Sequence, residues 1–202
     1  MAAVTEPTLC PGDEVPYARS MQDRPEDSAL MLRYQEGDLA AFDRLYRRHK
    51  DSLYRYLLRL SFNRHTAEDV FQDAWGKVIK ARLNYRPTAR FSTYLFRVAH
   101  NCFIDHVRRN KRHGNETRED PDLNPDPGDA PEQVAERLLA RERLEQALRD
   151  LPDEQRDVFL LYEEGGLSLG DIASVTGVSR ETVKSRLRYA LSKLRAALKD
   201  EQ

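Results

Sequence analysis

Residues 168–188 decide the fold of the C-terminal half, and they read SLGDIASVTGVSRETVKSRLR. Ser168 followed three positions later by Asp171 has the form of a capping box, which predicts the start of a short helix. Gly177 lies in the turn that follows, and Ser179 is placed to cap a second, longer helix. Two helices joined by a tight glycine-containing turn predict a helix-turn-helix.

The second helix of this motif is strongly basic. Residues 177–199 hold seven Lys or Arg side chains against a single acid. Val183 and Leu187 are expected to pack inward. The polar side chains around them then face outward, where Arg and Lys can reach guanine edges or phosphates. The outward set is Arg180, Glu181, Thr182, Lys184, Ser185, Arg186 and Arg188. The alternative is a helical hairpin whose charges only solvate it.

The rest of the chain also predicts helices, so the expected fold class is all-α. Residues 38–60 carry apolar side chains at helical spacing, on one helix or on two helices bent near His49. Thr66 and Asp69 resemble a second capping box, and a third helix is expected from about Ser92. Towards the C-terminus, Asp153 is expected to cap a helix that stops at a Gly-Gly pair.

Charge divides the chain into segments, although the formal net charge is only -1. Residues 1–37 sum to -4, 38–113 to +10, 114–150 to -6 and 151–202 to -1. The proline-rich acidic stretch cannot bury enough apolar surface to order itself. The predicted organisation is therefore two small helical domains joined by a flexible acidic linker: a disordered extension at 1–27, domains at 28–112 and 134–202, and the linker at 113–133.

Composition also limits the location of the protein. No apolar run is long enough for a membrane helix and no signal-peptide pattern is present, so a cytoplasmic protein is expected. Cys10 and Cys102 are far apart and predict no disulfide framework. Cys102 and His106 lie one helical turn apart without a second ligand pair, and no phosphate-binding loop or nucleophile motif occurs. Neither a metal, a cofactor nor an enzymatic activity is expected.

The third predicted helix combines aromatic and basic residues. Residues 90–112 read RFSTYLFRVAHNCFIDHVRRNKR. Aromatic rings beside Arg, Lys and Asn suit an unstacked or single-stranded nucleic acid, because rings stack on bases and basic groups hold the backbone. Asn101 offers an amide for the edge of an extruded base. The alternative is ordinary: Phe96 and Phe103 belong to the core, and Arg108 to Arg112 only favour the end of a helix.

The ordered motifs resemble the bacterial sigma factors of the extracytoplasmic-function type, the fourth group of the sigma-70 family. The resemblance is carried by residues 67–75 (AEDVFQDAW), by residues 91–112, by Leu151-Pro152 and by residues 167–194. It covers roughly residues 30 to 198. It implies a first helical domain that recognises promoters, a linker, and a second domain with the helix-turn-helix.

The resemblance also implies partners and sites. Asp69, Gln72 and Asp73 match the motif that docks on the clamp coiled coil of core RNA polymerase, and the second domain is expected at the polymerase flap. Trp75 is expected to contact the polymerase beside that acidic stripe, and burial in the core is the alternative. The residues that match the reader of the promoter −10 element are Tyr85, Phe91, Tyr94, Arg97, His100, Asn101, Arg108 and Arg109. Tyr85 and Asn101 match the pocket for a flipped base, and the helix-turn-helix matches the reader of the −35 element.

An anti-sigma factor is a further partner that the family implies. The sequence departs from the family at Tyr162, Tyr189 and Leu191, where members commonly carry Arg. Two rival functions remain: a stand-alone helix-turn-helix regulator, which leaves the first domain unexplained, and an RNA- or protein-binding adaptor, which leaves the second domain unused.

Overall fold

The computed structural model describes residues 25–113 and 142–199, and within them every regular element is helical. The all-α prediction is confirmed for this part of the chain. The helices are α1 (Pro25–Gln35), α2 (Leu39–Ser61), α3 (Arg64–Lys80), α4 (Phe91–His113), α5 (residues 142–149), α6 (Asp153–Glu163), α7 (Leu169–Thr176) and α8 (Arg180–Lys199), with a short 3₁₀ turn at Arg82–Asn84 after α3.

Helices α1 to α4 form the first bundle. Helix α2 is a single helix, so no bend occurs at His49. It begins after Asp38, whose carboxylate accepts a hydrogen bond from the Ala41 amide at 3.1 Å. The start of α3 corrects the predicted cap. Asn63, rather than Thr66, is the N-cap, because its side-chain oxygen accepts from the Thr66 amide at 2.8 Å.

The first bundle begins earlier than predicted. Helix α1 starts at Pro25, and the carboxylate of Asp27 is fully buried against α2. Its Oδ2 lies 3.0 Å from His49 Nε2, and its other oxygen accepts from Arg48. Because a buried carboxylate requires such partners, Asp27 fixes α1 to α2. Residues 25–27 therefore belong to the bundle and not to a disordered extension.

Helices α5 to α8 form the second bundle around the helix-turn-helix. Ser168 Oγ accepts from the Asp171 amide at 3.2 Å, as the capping box predicts, and Ser179 Oγ accepts from the Thr182 amide at 3.1 Å. Gly177 takes the left-handed conformation, with φ of 71°, that lets the chain turn after α7. At α6 the prediction is wrong: Pro152 is the N-cap residue, and Asp153 is the first helical residue.

Faces of the two bundles lie in contact: α6 packs on α2, and α7 packs on α4. Gly165, just after α6, approaches the first bundle so closely that a Cβ there would lie 3.3 Å from Cδ1 of Phe96. Residues 1–24, 114–141 and 200–202 lie outside the described residues. They include Cys10 and nearly all of the predicted extension and linker. Within the described ranges, no helix is long and apolar enough to cross a membrane.

Candidate polymerase and nucleic-acid interfaces

The predicted polymerase-binding stripe is exposed on α3. Asp69, Gln72 and Asp73 all face solvent, and their i, i+3, i+4 spacing places them on one side of the helix. The opposite side of α3 packs on α2 and α4. The stripe therefore places three hydrogen-bond acceptors on one solvent-exposed side of a packed helix.

Trp75 belongs to the core rather than to this stripe. Only 4% of its surface is exposed. Its ring packs edge-on against Tyr46, with centroids 5.1 Å apart, and against Phe42 at 5.8 Å. Since an aromatic cluster of this kind is stabilised by burial and by edge-to-face geometry, Trp75 holds α3 on α2. The expectation that Trp75 itself contacts the polymerase is corrected accordingly.

A groove of about 780 Å³ separates the C-terminal parts of α3 and α4. Gln72 and Asp73 line one wall, and Arg108 and Arg109 line the other. Asp73 Oδ2 lies 3.7 Å from Arg109 Nη2 across it. The predicted polymerase site and the basic end of the predicted −10 site thus meet at one groove.

Sequence reasoning missed three charged residues of this groove. Lys77, Lys80 and Asp105 also line it. Lys77 and Lys80 follow Asp73 by one and two helical turns, and Asp105 precedes Arg109 by one, so helical periodicity was the signal that could have found them.

The predicted base pocket begins with three aromatic rings at the start of α4. Tyr85 is 5% exposed, and its ring lies edge-on to Tyr94, with centroids 5.2 Å apart. Phe91 is fully buried and packs against His49, at 5.3 Å between ring centroids. Burial, with a smaller effect of Tyr85, raises the pKa of the Tyr94 hydroxyl above its ordinary value. Tyr94 is half-buried and presents its neutral hydroxyl at the edge of this cluster.

The direct DNA contact expected of Phe91 is corrected by its burial. Phe91 is the first residue of α4, and its ring contacts the rings of Tyr85 and Tyr94. Tyr85 is held similarly from α1, where Ser28 Oγ lies 3.5 Å from the Tyr85 hydroxyl. In this arrangement the two rings position Tyr94 rather than present their own faces to solvent.

The polar residues of α4 divide into two groups. Asn101, Arg108 and Arg109 are exposed, and Asn101 follows Tyr94 by seven positions, which places both on one face of the helix. Arg97 and His100 instead face the second bundle. Arg97 donates to the hydroxyl of Ser174 on α7, and His100 Nδ1 lies 3.3 Å from Asp157 Oδ2 on α6.

The outward residues of the recognition helix α8 are arranged mostly as expected. Arg180, Glu181, Lys184, Ser185 and Arg188 are exposed. The core positions Val183 and Leu187 are buried, which fixes the exposed face relative to α7.

Two members of the predicted −35 set are already engaged. Thr182 is half-exposed, and its hydroxyl lies 2.8 Å from the capping Ser179 Oγ. Arg186 pairs with Glu154 at the start of α6.

The positions that depart from the family are distinct in the structure. Tyr189 is exposed and lies beneath the guanidinium of Arg188, 5.2 Å from its ring centroid. Tyr162 and Leu191 are half-buried. Arg188 therefore covers the ring of Tyr189, the position at which family members commonly carry Arg. Within the described residues, no group of His, Cys, Asp and Glu is arranged to hold a metal ion.

Comparisons with known proteins extend over both bundles. A family model described as sigma-70 region 2 matches residues 45–113, and one described as sigma-70 region 4 matches residues 141–194. The ECF RNA polymerase sigma factor SigE of Mycolicibacterium smegmatis is 36% identical over 186 residues, which cover 92% of this chain and 68% of that protein. The ECF RNA polymerase sigma factor SigM of Mycobacterium tuberculosis is 35% identical over 171 residues, covering 83% and 82%.

Two solved structures of protein complexes share the fold. CnrH, solved in complex with the cytosolic domain of CnrY, is 26% identical with a TM-score of 0.64, and the match covers 87% of this chain and 99% of that chain. The sigma factor RpoE of Bartonella quintana, solved with the anti-sigma factor NepR, has a TM-score of 0.66 at 23% identity, covering 80% and 98%. The chain therefore belongs to the extracytoplasmic-function family of RNA polymerase sigma factors.

Proposed function

We propose that this chain docks on core RNA polymerase through Asp69, Gln72 and Asp73 of α3, and thereby brings two DNA-reading surfaces to a promoter. As a sigma factor it is an initiation factor and not an enzyme. Its place of action is the cytoplasm, where polymerase and chromosome meet. The observation that carries the proposal is that one chain combines an exposed acidic stripe on α3, an aromatic and basic α4, and a basic recognition helix.

The −10 element is read by the loop after α3 and by α4. An unpaired base extruded from the duplex is received at Tyr94, with Tyr85 and Phe91 behind that ring, and Asn101 hydrogen-bonds the edge of the base. Arg97, His100, Arg108 and Arg109 contact the DNA backbone. Capture of one unpaired base favours the open duplex, so melting requires no covalent step.

The −35 element is read by α8. Its exposed N-terminal turns enter the major groove, where Arg180, Lys184 and Arg188 contact base edges or phosphates. Glu181, Thr182, Ser185 and Arg186 complete that surface. Each bundle alone binds DNA weakly. With both mounted on one polymerase, the second contact becomes effectively intramolecular, which multiplies the affinity.

The second bundle is expected to bind the polymerase flap, and an anti-sigma factor is expected to control access to the chain. The support for an anti-sigma factor is that RpoE was solved in complex with one. The anti-sigma factor of this chain would be identified by the chemistry through which it binds. A stand-alone regulator is disfavoured, because the matched relatives are polymerase sigma factors over both bundles.

Transcription with purified core polymerase of the source bacterium tests this function. The chain is added to core polymerase with a pool of templates that carry randomised upstream sequence, and the transcribed templates are sequenced. We expect two separated conserved blocks in the recovered promoters and no specific transcript without the chain. Absence of binding to core polymerase would refute the proposal, and DNA binding without core dependence would favour the stand-alone regulator.

A further inference from the structure

A buried carboxylate of the second bundle lies between two arginines of the first. Glu164, directly after α6, has only 3% of its side chain exposed. Its Oε2 accepts from Arg55 Nε at 2.9 Å, and its Oε1 accepts from Arg59. Both arginines lie on α2, one helical turn apart. A single carboxylate therefore pairs with two cations of the other bundle.

A second carboxylate, about two helical turns earlier on α6, also bridges two side chains of the first bundle. Asp157 Oδ1 accepts from the Tyr56 hydroxyl at 2.8 Å, and its Oδ2 lies 3.3 Å from His100 Nδ1. Burial, and then the charge of Asp157, raise the pKa of Tyr56 well above its ordinary value, so the hydroxyl remains a donor. Glu164 and Asp157 thus bind one continuous face of α2 and α4.

Other contacts close the same interface. The ring of Phe62, at the end of α2, contacts the guanidinium groups of Arg149 and Arg156, which lie 4.6 and 4.9 Å from its centroid. Arg97 donates to Ser174, and its Nε is buried with no hydrogen-bond partner among the described residues. A buried guanidinium nitrogen without a partner is costly, so the closed contact does not fully satisfy Arg97.

The chemistry of this face suits a phosphate as well as a carboxylate. Arginine forks bind both anions through the same N–H donors. The face belongs to the +10 segment, residues 38–113, whereas both carboxylates come from the -1 segment, residues 151–202. Two residues of the face, Arg97 and His100, belong to the proposed −10 surface and are covered by α7 and α6.

We propose that Glu164 and Asp157 occupy a DNA-phosphate site on the first bundle, formed by Arg55, Arg59 and His100, and so mask it in the free chain. When the two bundles separate, which we call the open chain, phosphates of the DNA backbone take the place of the two carboxylates. Arg55 and Arg59 are then DNA contacts in addition to the α4 residues. This inference rests on the proposed function in one respect, the role of Arg97 and His100 in DNA binding.

Two variants at Glu164 test the mask in the full chain without polymerase. Glu164→Gln removes the charge at nearly constant shape, and Glu164→Lys repels both arginines. Small-angle scattering measures opening through the radius of gyration, and circular dichroism verifies folding. Fluorescence anisotropy measures affinity for a labelled single-stranded oligonucleotide of mixed sequence. We expect a larger radius of gyration and about tenfold tighter binding, as when a competent fraction of about one tenth rises towards one.

Two controls separate unmasking from simple loss of charge. Asp43→Asn removes one negative charge and frees Arg47 on the exposed side of α2, outside the interface. It should leave both readouts near those of the wild type. The double variant Arg55→Gln/Arg59→Gln should also open the chain, but without the gain in DNA affinity. Its slope of log affinity against log salt should be shallower than that of Glu164→Gln by about 0.7 for each lost phosphate contact.

Three outcomes would overturn the inference. One is an unchanged radius of gyration in both Glu164 variants. Another is opening without tighter DNA binding. The third is an equal gain in the variant that lacks both arginines. Transcription with core polymerase is measured separately, so loss of specific initiation in the wild type would refute the proposed function without affecting the scattering result.

Discussion

Burial separates the predicted base-binding residues into two roles. Asn101 is exposed on the face of α4 that also carries Tyr94, whereas Tyr85 and Phe91 are buried behind the Tyr94 ring. A buried ring supplies stiffness, and an exposed amide supplies hydrogen bonds. Under the proposed function, we therefore expect base recognition to depend directly on Asn101 and Tyr94, and to depend on the two buried rings through the position of Tyr94.

Asn101→Ala is predicted to impair promoter opening. The variant loses the hydrogen bonds to an extruded base, which should cost about 1 to 3 kcal/mol and relax the base preference at that position. Permanganate reactivity of unpaired thymines on a recovered promoter measures opening directly. Asn110→Ala is the matched control, because Asn110 lies on the same helix and bonds His106 at 2.8 Å. Equal opening by the wild type and Asn101→Ala would contradict the assignment.

Glu163 provides a prediction for the pH dependence of stability. Burial, and then the charge of adjacent Glu164, raise the pKa of Glu163 above its ordinary value. The folded state therefore holds this proton more tightly than the unfolded state, and the associated stability is lost as pH rises from the unfolded pKa through the folded pKa.

Glu163→Gln should consequently raise the melting temperature at pH 7. The increase should be at most a few degrees, since the group is half-exposed and 1 kcal/mol corresponds to about 2 to 4 °C in a chain of this size. The advantage of the variant should shrink as the pH falls towards 4. Thermal unfolding from pH 4 to 7 measures this, with Glu36→Gln, an exposed carboxylate beyond α1, as the control for one lost charge. An advantage that does not change with pH would contradict the cause given.

At the scale of the element, α3 and α8 are two helices that each bury one face and present a polar face to solvent. In α3 the inner face is occupied by an aromatic cluster around Trp75, which leaves the outer stripe for a partner. In α8 the inner face is held by Val183 and Leu187. Because helices fix the direction of side chains, substitutions on the outer faces should change binding without changing the fold.

Asp69→Lys on α3 is predicted to weaken binding to core polymerase. The stripe is exposed, so reversal of its charge removes an acceptor and repels a basic partner surface. We expect a drop of about tenfold or more in affinity for core polymerase, measured by competition against the wild-type chain. Glu68→Lys, on the adjacent half-buried position, controls for charge on α3. An equal loss in both variants would indicate general electrostatics instead of a defined stripe.

Lys184→Ala on α8 is predicted to weaken recognition of the −35 element. If the amine contacts a phosphate, affinity falls on all sequences and the salt slope decreases by about one. If it contacts a base, discrimination at one position falls by about 1 to 3 kcal/mol. Holoenzyme binding to a promoter series with single changes in the −35 block distinguishes the two. Arg195→Ala, exposed further along α8, should change neither.

The helix-turn-helix could be predicted from the sequence because its caps and its turn depend on interactions between residues close together in the chain. Ser168, Gly177 and Ser179 act within a few residues of themselves, so their patterns predict the observed turn and caps. The start of α3 was misjudged because Asn63 and Thr66 are both good caps, and only the three-dimensional path of the chain selects between them.

Contacts between distant segments could not be predicted in the same way. Trp75 and Phe91 are buried by residues of α2, which lie far away in the chain. The sequence alone therefore did not determine whether these two rings are buried or exposed. The pairing of Glu164 with Arg55 likewise joins residues 109 positions apart. Periodicity assigns a side chain to a face of its helix, but it does not say which helix covers that face.

For the whole molecule, the net charge of -1 is the sum of segments with large charges of opposite sign. The segment 38–113 carries +10, and segment 114–150 carries -6. A strongly cationic sigma factor would bind DNA everywhere through counterion release, which competes with delivery by the polymerase. We expect the acidic segments to reduce that nonspecific affinity without changing the proposed contacts of α4 and α8. The near balance is consistent with a protein that depends on polymerase for DNA affinity.

Neutralising the acidic segment is predicted to tighten DNA binding by the free chain. The variant carries Asp120→Asn, Asp122→Asn, Asp126→Asn and Asp129→Asn. Removing four negative charges beside a +10 segment raises the local potential, and affinity for duplex DNA of arbitrary sequence should increase several-fold at low salt. The increase should vanish as the salt concentration rises and the Debye length falls below about 10 Å.

A variant of equal net charge tests whether position matters. It carries Glu6→Gln, Asp13→Asn, Glu14→Gln and Asp23→Asn in the N-terminal segment, which has the same change in charge as the first variant. If the acids of residues 114–150 act locally on the adjacent basic segment, the first variant should bind DNA more tightly than the second. Equal affinity of the two variants would mean that only total charge matters, and no change in either would refute an electrostatic role for these acids.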